Sequence, residues 1–212
     1  MRKFLVLILI SSITIGIYAQ KDKKATTILE DLSRQTESYK TIEVEFLYKM
    51  DNDESNIHES YKGELLVEGD KYRLNVAGQL VISNGETIWT YIEDAEEVQI
   101  NSIEEGEEVF TPTNLLDSYT ENYKSKLIGE EKRDGKNIQI IELIPYKKKN
   151  YSKVELIIDK DKNQIISFSI FDNNNSIYTY LITKYVPDGH LNGNEFIFNP
   201  EDYPDVEIID MR

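Results

Sequence analysis

The stretch that decides the fold is "SKVELIIDKDKNQIISFSIFDNNNSIYTYLITKY", Ser152 to Tyr185. Apolar residues alternate with polar ones along it, the period of a half-buried strand. Two polar clusters interrupt the alternation, Asp159-Lys160-Asp161-Lys162-Asn163 and Asp172 to Asn175. Short clusters of Asp, Asn and Lys between strands are turns, so the stretch reads as three antiparallel neighbours. "KNIQIIELIPY" before it adds a fourth strand, and "EFIFNP" after it reads as a short last one.

The same period governs the first half. In "TIEVEFLYKM", Ile42, Val44, Phe46 and Tyr48 alternate with Glu43, Glu45 and Leu47. "SYKGELLVEGDKYRLNV" carries a Glu-Gly-Asp turn, and "QLVISNGETIWTYIEDAEEVQI" supplies two or three strands around Asn84-Gly85. Two segments break the pattern. "KKATTILEDLSRQTESYK" places Ala25, Ile28, Leu29, Leu32 and Tyr39 at helical spacing, which predicts an amphipathic helix ending near Lys40. In "EEVFTPTNLLDSYTENY", Thr111-Pro112 starts a second helix whose apolar face holds Leu115, Leu116 and Tyr119. The expected architecture is mainly β: about ten or eleven antiparallel strands, too many for a flat sheet, in a strongly curled sheet with two helices. The helices either pack on the concave face or cover a cavity there.

The chain begins "MRKFLVLILISSITIGIYAQ". Arg2 and Lys3, an apolar run from Phe4 to Ile10 and small residues up to Ala19 have the form of a cleavable secretory signal peptide. Ser11, Ser12 and Thr14 leave the run short of the ~20 apolar residues of a membrane span. Residues 20–212 then form one domain, free of any linker or repeat. There is no cysteine, so neither a disulfide nor a lipid-bearing thiol is available. The formal charge of −15 becomes −17 once Arg2 and Lys3 are removed. Nucleic-acid binding is almost excluded on that balance, and docking on an anionic membrane surface is also disfavoured.

Catalytic groups are scarce. The two histidines, His58 and His190, both lie in polar loop contexts, unsuited to a zinc site or a Ser-His-Asp triad. "DNDESNIHE" from Asp51 has alternating oxygens like a calcium loop, but lacks the sixth-position glycine and ends on Lys62 at its twelfth position. The segment from Asp159 reaches Ile170 at that place. Glu104-Glu105 and Glu107-Glu108 are what 39 acidic residues supply by chance. No Gly-rich phosphate cradle occurs, and no metal or cofactor is implied. The expectation is a protein that binds rather than catalyses.

Several segments resemble the periplasmic lipoprotein carrier family, LolA-like proteins of Gram-negative bacteria. "VISNGETIWTYIEDAEEVQI" is similar to that family's Asp-Gly…Trp-x-Tyr strand pair, and "YKGELLVEGDKYRLNV" to its G-x-L-x-V strand and partner. "FTPTNLL" fits its mid-chain helix, and "EFIFNPEDYPDVEIIDMR" its F-x-F-x-P ending and final Asp-x-Arg. The resemblance implies an unclosed barrel lidded by helices over an apolar cavity. It also implies a monomeric periplasmic carrier, which takes acylated lipoproteins from an inner-membrane ABC lipoprotein-releasing transporter to an outer-membrane acceptor. A same-fold lipid sensor or carrier of another acylated molecule is the nearer alternative, and a structural sandwich with a filled core the more distant one.

On that reading the cavity is lined by Phe46, Leu66, Leu80, Ile82, Trp89, Tyr91, Ile140, Leu156, Ile158, Phe168 and Ile170. Ile28, Leu32, Leu115 and Leu116 belong to the lid. Family members latch the lid with an arginine just after the G-x-L-x-V strand. Here Gly69 holds that position, and Arg73 on the next strand is the nearest substitute. A one-residue slip in any strand would reverse its inward set.

Overall fold

A computed structural model describes residues 22–103 and 112–212, with side chains from 112–115 and 117 excepted. The leader-like residues 1–19, the acidic pairs after Ile103 and the Leu115 side chain lie outside the described part. Among the described residues, two α-helices and twelve strands occur, with two short 3-10 turns at Glu93–Ala95 and Pro200–Asp202: α1 (Lys23–Glu37), β1 (Ile42–Asn52), β2 (Ile57–Glu68), β3 (Lys71–Val76), β4 (Gln79–Ser83), β5 (Thr87–Ile92), β6 (Glu97–Ser102), α2 (Pro112–Asn122), β7 (Tyr123–Arg133), β8 (Lys136–Pro145), β9 (Tyr151–Asp159), β10 (Gln164–Asp172), β11 (Ile177–Pro187) and β12 (Glu207–Asp210). All the strands join one sheet in the order β12-β6-β5-β4-β3-β2-β1-β11-β10-β9-β8-β7. The sheet curls strongly and stays open between β12 and β7.

Two meanders make up this sheet, β1 to β6 and β7 to β11. They meet where β1 pairs antiparallel with β11, from Ile42 opposite Pro187 to Asp51 opposite Ile177. The Asn84-Gly85 turn works as its residues suggest. Asn84 Oδ1 accepts hydrogen bonds from the backbone N–H of Glu86 at 3.0 Å and Thr87 at 2.8 Å, and Gly85 takes φ +93°.

Two edges differ from the sequence reading. β7 was not foreseen as a strand, and "EFIFNP" is irregular rather than extended. The last strand is instead β12, which lies parallel to β6, with Ile208 opposite Val98. Phe196 and Phe198 are both still buried, and Phe198 packs against the sheet without joining it.

The core divides by sheet face. On the helix-bearing face, Ala25, Leu29 and Leu32 of α1 and Leu116 and Tyr119 of α2 cluster with Ile141, Leu143, Val154, Leu156, Ile158, Phe168 and Ile170. Farther along that face, Ile42, Val44, Phe46, Leu65, Val67 and Tyr72 form a second cluster, bridged to the first by Tyr180 and Ile182. On the opposite face, Leu80, Ile82, Trp89, Tyr91 and Val98 lie under Phe198, Tyr203 and Val206 of the C-terminal segment.

Gly63 lets the second cluster close. A methyl group there would lie 2.3 Å from Cζ of Phe46, because the phenyl ring lies across β2 at that point. Gly63→Ala is expected to displace the ring and cost ~1–3 kcal/mol, read from urea unfolding. An unchanged midpoint would mean that the ring has another resting place.

Candidate ligand-binding face and its helical cover

Register places one residue from each of seven strands in a single line across the helix-bearing face. The line runs Tyr61, Tyr48, Tyr180, Phe168, Leu156, Ile141, Leu127, through β2, β1, β11, β10, β9, β8 and β7. Six inter-strand steps of ~4.8 Å make it about 29 Å long. A second line beside it runs Met50, Tyr178, Ile170, Val154, Leu143.

The two ends of the first line differ. Toward β7, Leu156 and Ile141 are 0 % exposed, beneath α1. Toward β2, Tyr61 is 40 % exposed, and Tyr48 and Tyr180 are half-buried. The rings there form a continuous wall. Phe168 and Tyr180 stack at 4.4 Å, Tyr180 and Tyr48 lie 5.2 Å apart, and Tyr48 stacks on Tyr61 at 6.3 Å and on Tyr178 at 6.4 Å. Burial pushes the Tyr180 hydroxyl up to about 12, with help from Tyr48 and Tyr178, and burial also raises that of Tyr48. The wall is therefore uncharged over the whole physiological range.

Helix α1 is fastened at both ends. The Asp22 carboxylate caps its N-terminus, accepting from the N–H of Lys24 at 3.1 Å and Ala25 at 3.2 Å. Its second oxygen accepts from the N–H of Leu127 at 3.0 Å, beside a register shift in β7. One side chain thus ties the helix to a sheet edge. Lys24 reinforces the tie through an ion pair with Glu130, which also accepts from Gln139 and Lys160. The Lys24 bond, followed by those from Gln139 and Lys160, holds the Glu130 carboxyl down at about 2. At the other end, Gln35 Nε2 donates to the Lys162 carbonyl at 3.2 Å, and Asn163 donates to Gln35 Oε1 at 3.1 Å. A cleft of about 670 Å³ remains on this flank, lined by Ile28, Asp31, Arg34, Gln35, Ser38, Gln139, Lys160 and Asn163. It is polar and hydrogen-bonding, unlike the aromatic wall.

Asp22→Ala should lower stability by ~1–2 kcal/mol through loss of the cap. Hydrogen bonding, from Leu127 first and then from Ala25, lowers the Asp22 pKa. Its contribution is therefore complete above the ordinary Asp value of about 4 and is lost as pH falls through the lowered value. The difference between variant and parent should be full at neutral pH and shrink in acid, which urea titrations across pH would check. A difference independent of pH would rule out a role for the carboxylate charge.

The sequence-based lining set divides between the two faces. Phe46, Leu156, Ile158, Phe168 and Ile170 share the helix-bearing face. Leu66, Leu80, Ile82, Trp89, Tyr91 and Ile140 lie on the other. The register decides this: Leu80 pairs with Tyr91 and Ile82 with Trp89, one residue out of step with the inward Val81 and Ser83. Leu66 is out of step with the inward Leu65 and Val67 in the same way, and Ile140 with Ile141.

Arg73 is likewise outward. It pairs with Leu66 and Ile82, and its guanidinium reaches the Glu195 carbonyl at 3.5 Å, away from either helix. The fastening role passes to Asp22 and Gln35. Of the lid residues, Leu32 and Leu116 are buried in the shared cluster and Ile28 is half-buried at its margin. Among the described residues, the helices pack on the face over β7 to β10. Tyr48, Tyr61, Tyr178 and Tyr180, which complete the wall, were not in the lining set; the run of tyrosines at alternate positions along these strands was the available signal.

Among the described residues, no group of three or more His, Asp or Glu side chains is placed to hold a metal ion, and no helix is long and apolar enough to cross a membrane. An open, curled antiparallel sheet with an apolar face partly covered by fastened helices defines a fold of the lipoprotein-carrier type. Residues 37–199 match the family described as outer membrane lipoprotein carrier protein LolA, and the chain belongs to that family.

Solved structures agree in fold. An uncharacterized conserved protein from Thermus thermophilus superposes with a TM-score of 0.61 at 11% identity, covering 88% of this chain and 99% of its own. The Mycobacterium tuberculosis lipoprotein LppX gives a TM-score of 0.50 at 15% identity, covering 81% and 98%. A putative outer membrane lipoprotein-sorting protein domain from Vibrio parahaemolyticus gives 0.47 at 15%, covering 82% and 96%. No curated protein matches the chain.

Proposed function

We propose that the protein is a periplasmic carrier that holds the acyl chains of lipoproteins on its helix-bearing face. It takes them from an inner-membrane ABC transporter to an outer-membrane acceptor. Family membership supports this reading, and one observation carries it: the unbroken apolar line from Tyr61 to Leu127, open at one end and covered at the other. Phe46, Leu156, Ile158, Phe168 and Ile170 are its lining residues, joined by Tyr48, Tyr61, Tyr178 and Tyr180. No bond is made or broken in such a transfer, and no cofactor is required.

The energetics favour a covered site over an empty one. An acyl chain leaving water gains about 0.8 kcal/mol per methylene, so one long chain is worth on the order of 10 kcal/mol gross. Two or three such chains would approach the ceiling of non-covalent affinity, and the cargo could not be released. Here Ala25, Leu29 and Leu32 already fill the deeper half of the line. Cargo must displace them, and that displacement offsets part of the gain. A carrier built this way accepts cargo from the transporter and surrenders it to a tighter acceptor.

Calorimetric titration with a synthetic triacylated lipopeptide tests the binding step. The expected result is saturable binding with a negative heat-capacity change, absent for the same peptide without acyl chains. Equal binding of the two peptides would overturn the assignment.

A further inference from the structure

The β8–β9 connection carries "YKKKN", Tyr146 to Asn150, a basic run in a chain of net charge −15. Three hydrogen bonds hold the tip in place. The Tyr146 N–H donates to the Asn122 carbonyl at the end of α2 at 2.8 Å. Asn173 donates through its side chain to the Lys149 carbonyl and through its backbone N–H to the Asn150 carbonyl, both at 2.9 Å. What this fixed tip presents to solvent is Tyr146, 53 % exposed, Ile144, 37 % exposed, and the exposed Lys147 and Lys148.

A tyrosine and an isoleucine beside lysines is the composition that settles at a lipid–water boundary. The rings and methyls enter the headgroup layer while the ammonium groups meet anionic lipid. Among the described residues, Asp172 is the carboxylate next to the tip, against three lysines on it. The acidic tip between β1 and β2, with Asp53 and Glu54, lies about four strand spacings away, or ~19 Å, beyond the ~8–10 Å Debye length of physiological salt.

The tip also lies at a useful end of the molecule. The β10–β11 turn that anchors it binds Asn52 of β1 as well, through the Asn174 carbonyl and Ser176. The tip therefore shares one rim of the sheet with the end of β1, two residues beyond Met50 in the second line.

We infer that Ile144, Tyr146, Lys147 and Lys148 form a docking lip for an anionic phospholipid surface. The lip touches the membrane transiently and leaves the acidic remainder of the chain in solution. This goes beyond the carrier reading and stands on different residues, so either can fail alone.

Co-sedimentation of the full chain with phosphatidylglycerol–phosphatidylcholine vesicles, against phosphatidylcholine alone, tests it. The parent protein should bind the anionic vesicles preferentially and lose binding as salt rises. K147Q/K148Q should weaken that binding about 25-fold, roughly fivefold per lysine. Y146S should weaken it without altering the salt dependence. Circular dichroism and lipopeptide titration should be unchanged in all variants, since these side chains lie outside the core and the aromatic wall. Equal binding of parent and K147Q/K148Q to anionic vesicles would overturn the inference. So would indifference of the parent to vesicle charge, or capture of an acidic protein partner without any vesicle binding.

Discussion

Joining α1 to β7 should abolish loading. The chain has no cysteine, so Lys24→Cys with Glu130→Cys places two unique thiols where an ion pair now ties the helix to the sheet edge. A bis-maleimide linker across them holds α1 down. The open part of the apolar line, Tyr61 to Tyr180, then offers about a third of its length to an acyl chain. The lost two-thirds of a gross ~10 kcal/mol is ~7 kcal/mol, so affinity for triacylated lipopeptide should fall by at least about a hundredfold. The unlinked double variant should bind like the parent. A linked protein that still binds tightly would mean that cargo sits elsewhere, or that the helices never leave the sheet. The second case is the filled-core scaffold.

The second large effect separates the two faces of the sheet. Tyr48→Asp puts a carboxylate in the middle of the aromatic wall, between Tyr61 and Tyr180. A chain passing it loses apolar contact over about one strand width, three to four methylenes or ~3 kcal/mol, and affinity falls roughly a hundredfold. Trp89→Ala should do the reverse. The indole packs with Leu80, Ile82 and Phe198 on the opposite face, so its removal should cost ~2–3 kcal/mol of stability and leave affinity within about twofold. Loss of loading in Trp89→Ala, with Tyr48→Asp unaffected, would reassign the ligand to the outer face.

That contrast also shows how far the residues could be read. Period-two alternation located ten strands, and helical spacing located α1 from Ala25, Leu29 and Leu32. Which face of each strand points toward the helices was not legible for β4 and β5. Leu80, Ile82, Trp89 and Tyr91 are apolar at alternate positions, as an inward set would be. They are apolar because Phe198, Tyr203 and Val206 cover the outer face there, and no local signal announces a cover more than 100 residues away.

β7 was lost for a related reason. It is an edge strand with Lys124, Lys126, Glu130 and Glu131 among its residues, as unpaired edges commonly are, so its alternation is diluted. The fastening of α1 was equally hidden. Nothing in the helical spacing singles out Asp22, and its bond to Leu127 depends on an edge contact 105 positions along the chain. The outward Arg73 illustrates the converse, since proximity in sequence to a family position does not put a side chain on the same face.

What the protein holds where it works decides whether it is a carrier. Purification of the chain from its own cells, followed by native mass spectrometry, should recover a complex of one protein with acylated lipoprotein. The K24C/E130C protein, linked before exposure to that extract, should acquire none. Recovery of unacylated material alone, with lipoprotein sorting unchanged when the protein is depleted, would contradict the carrier function.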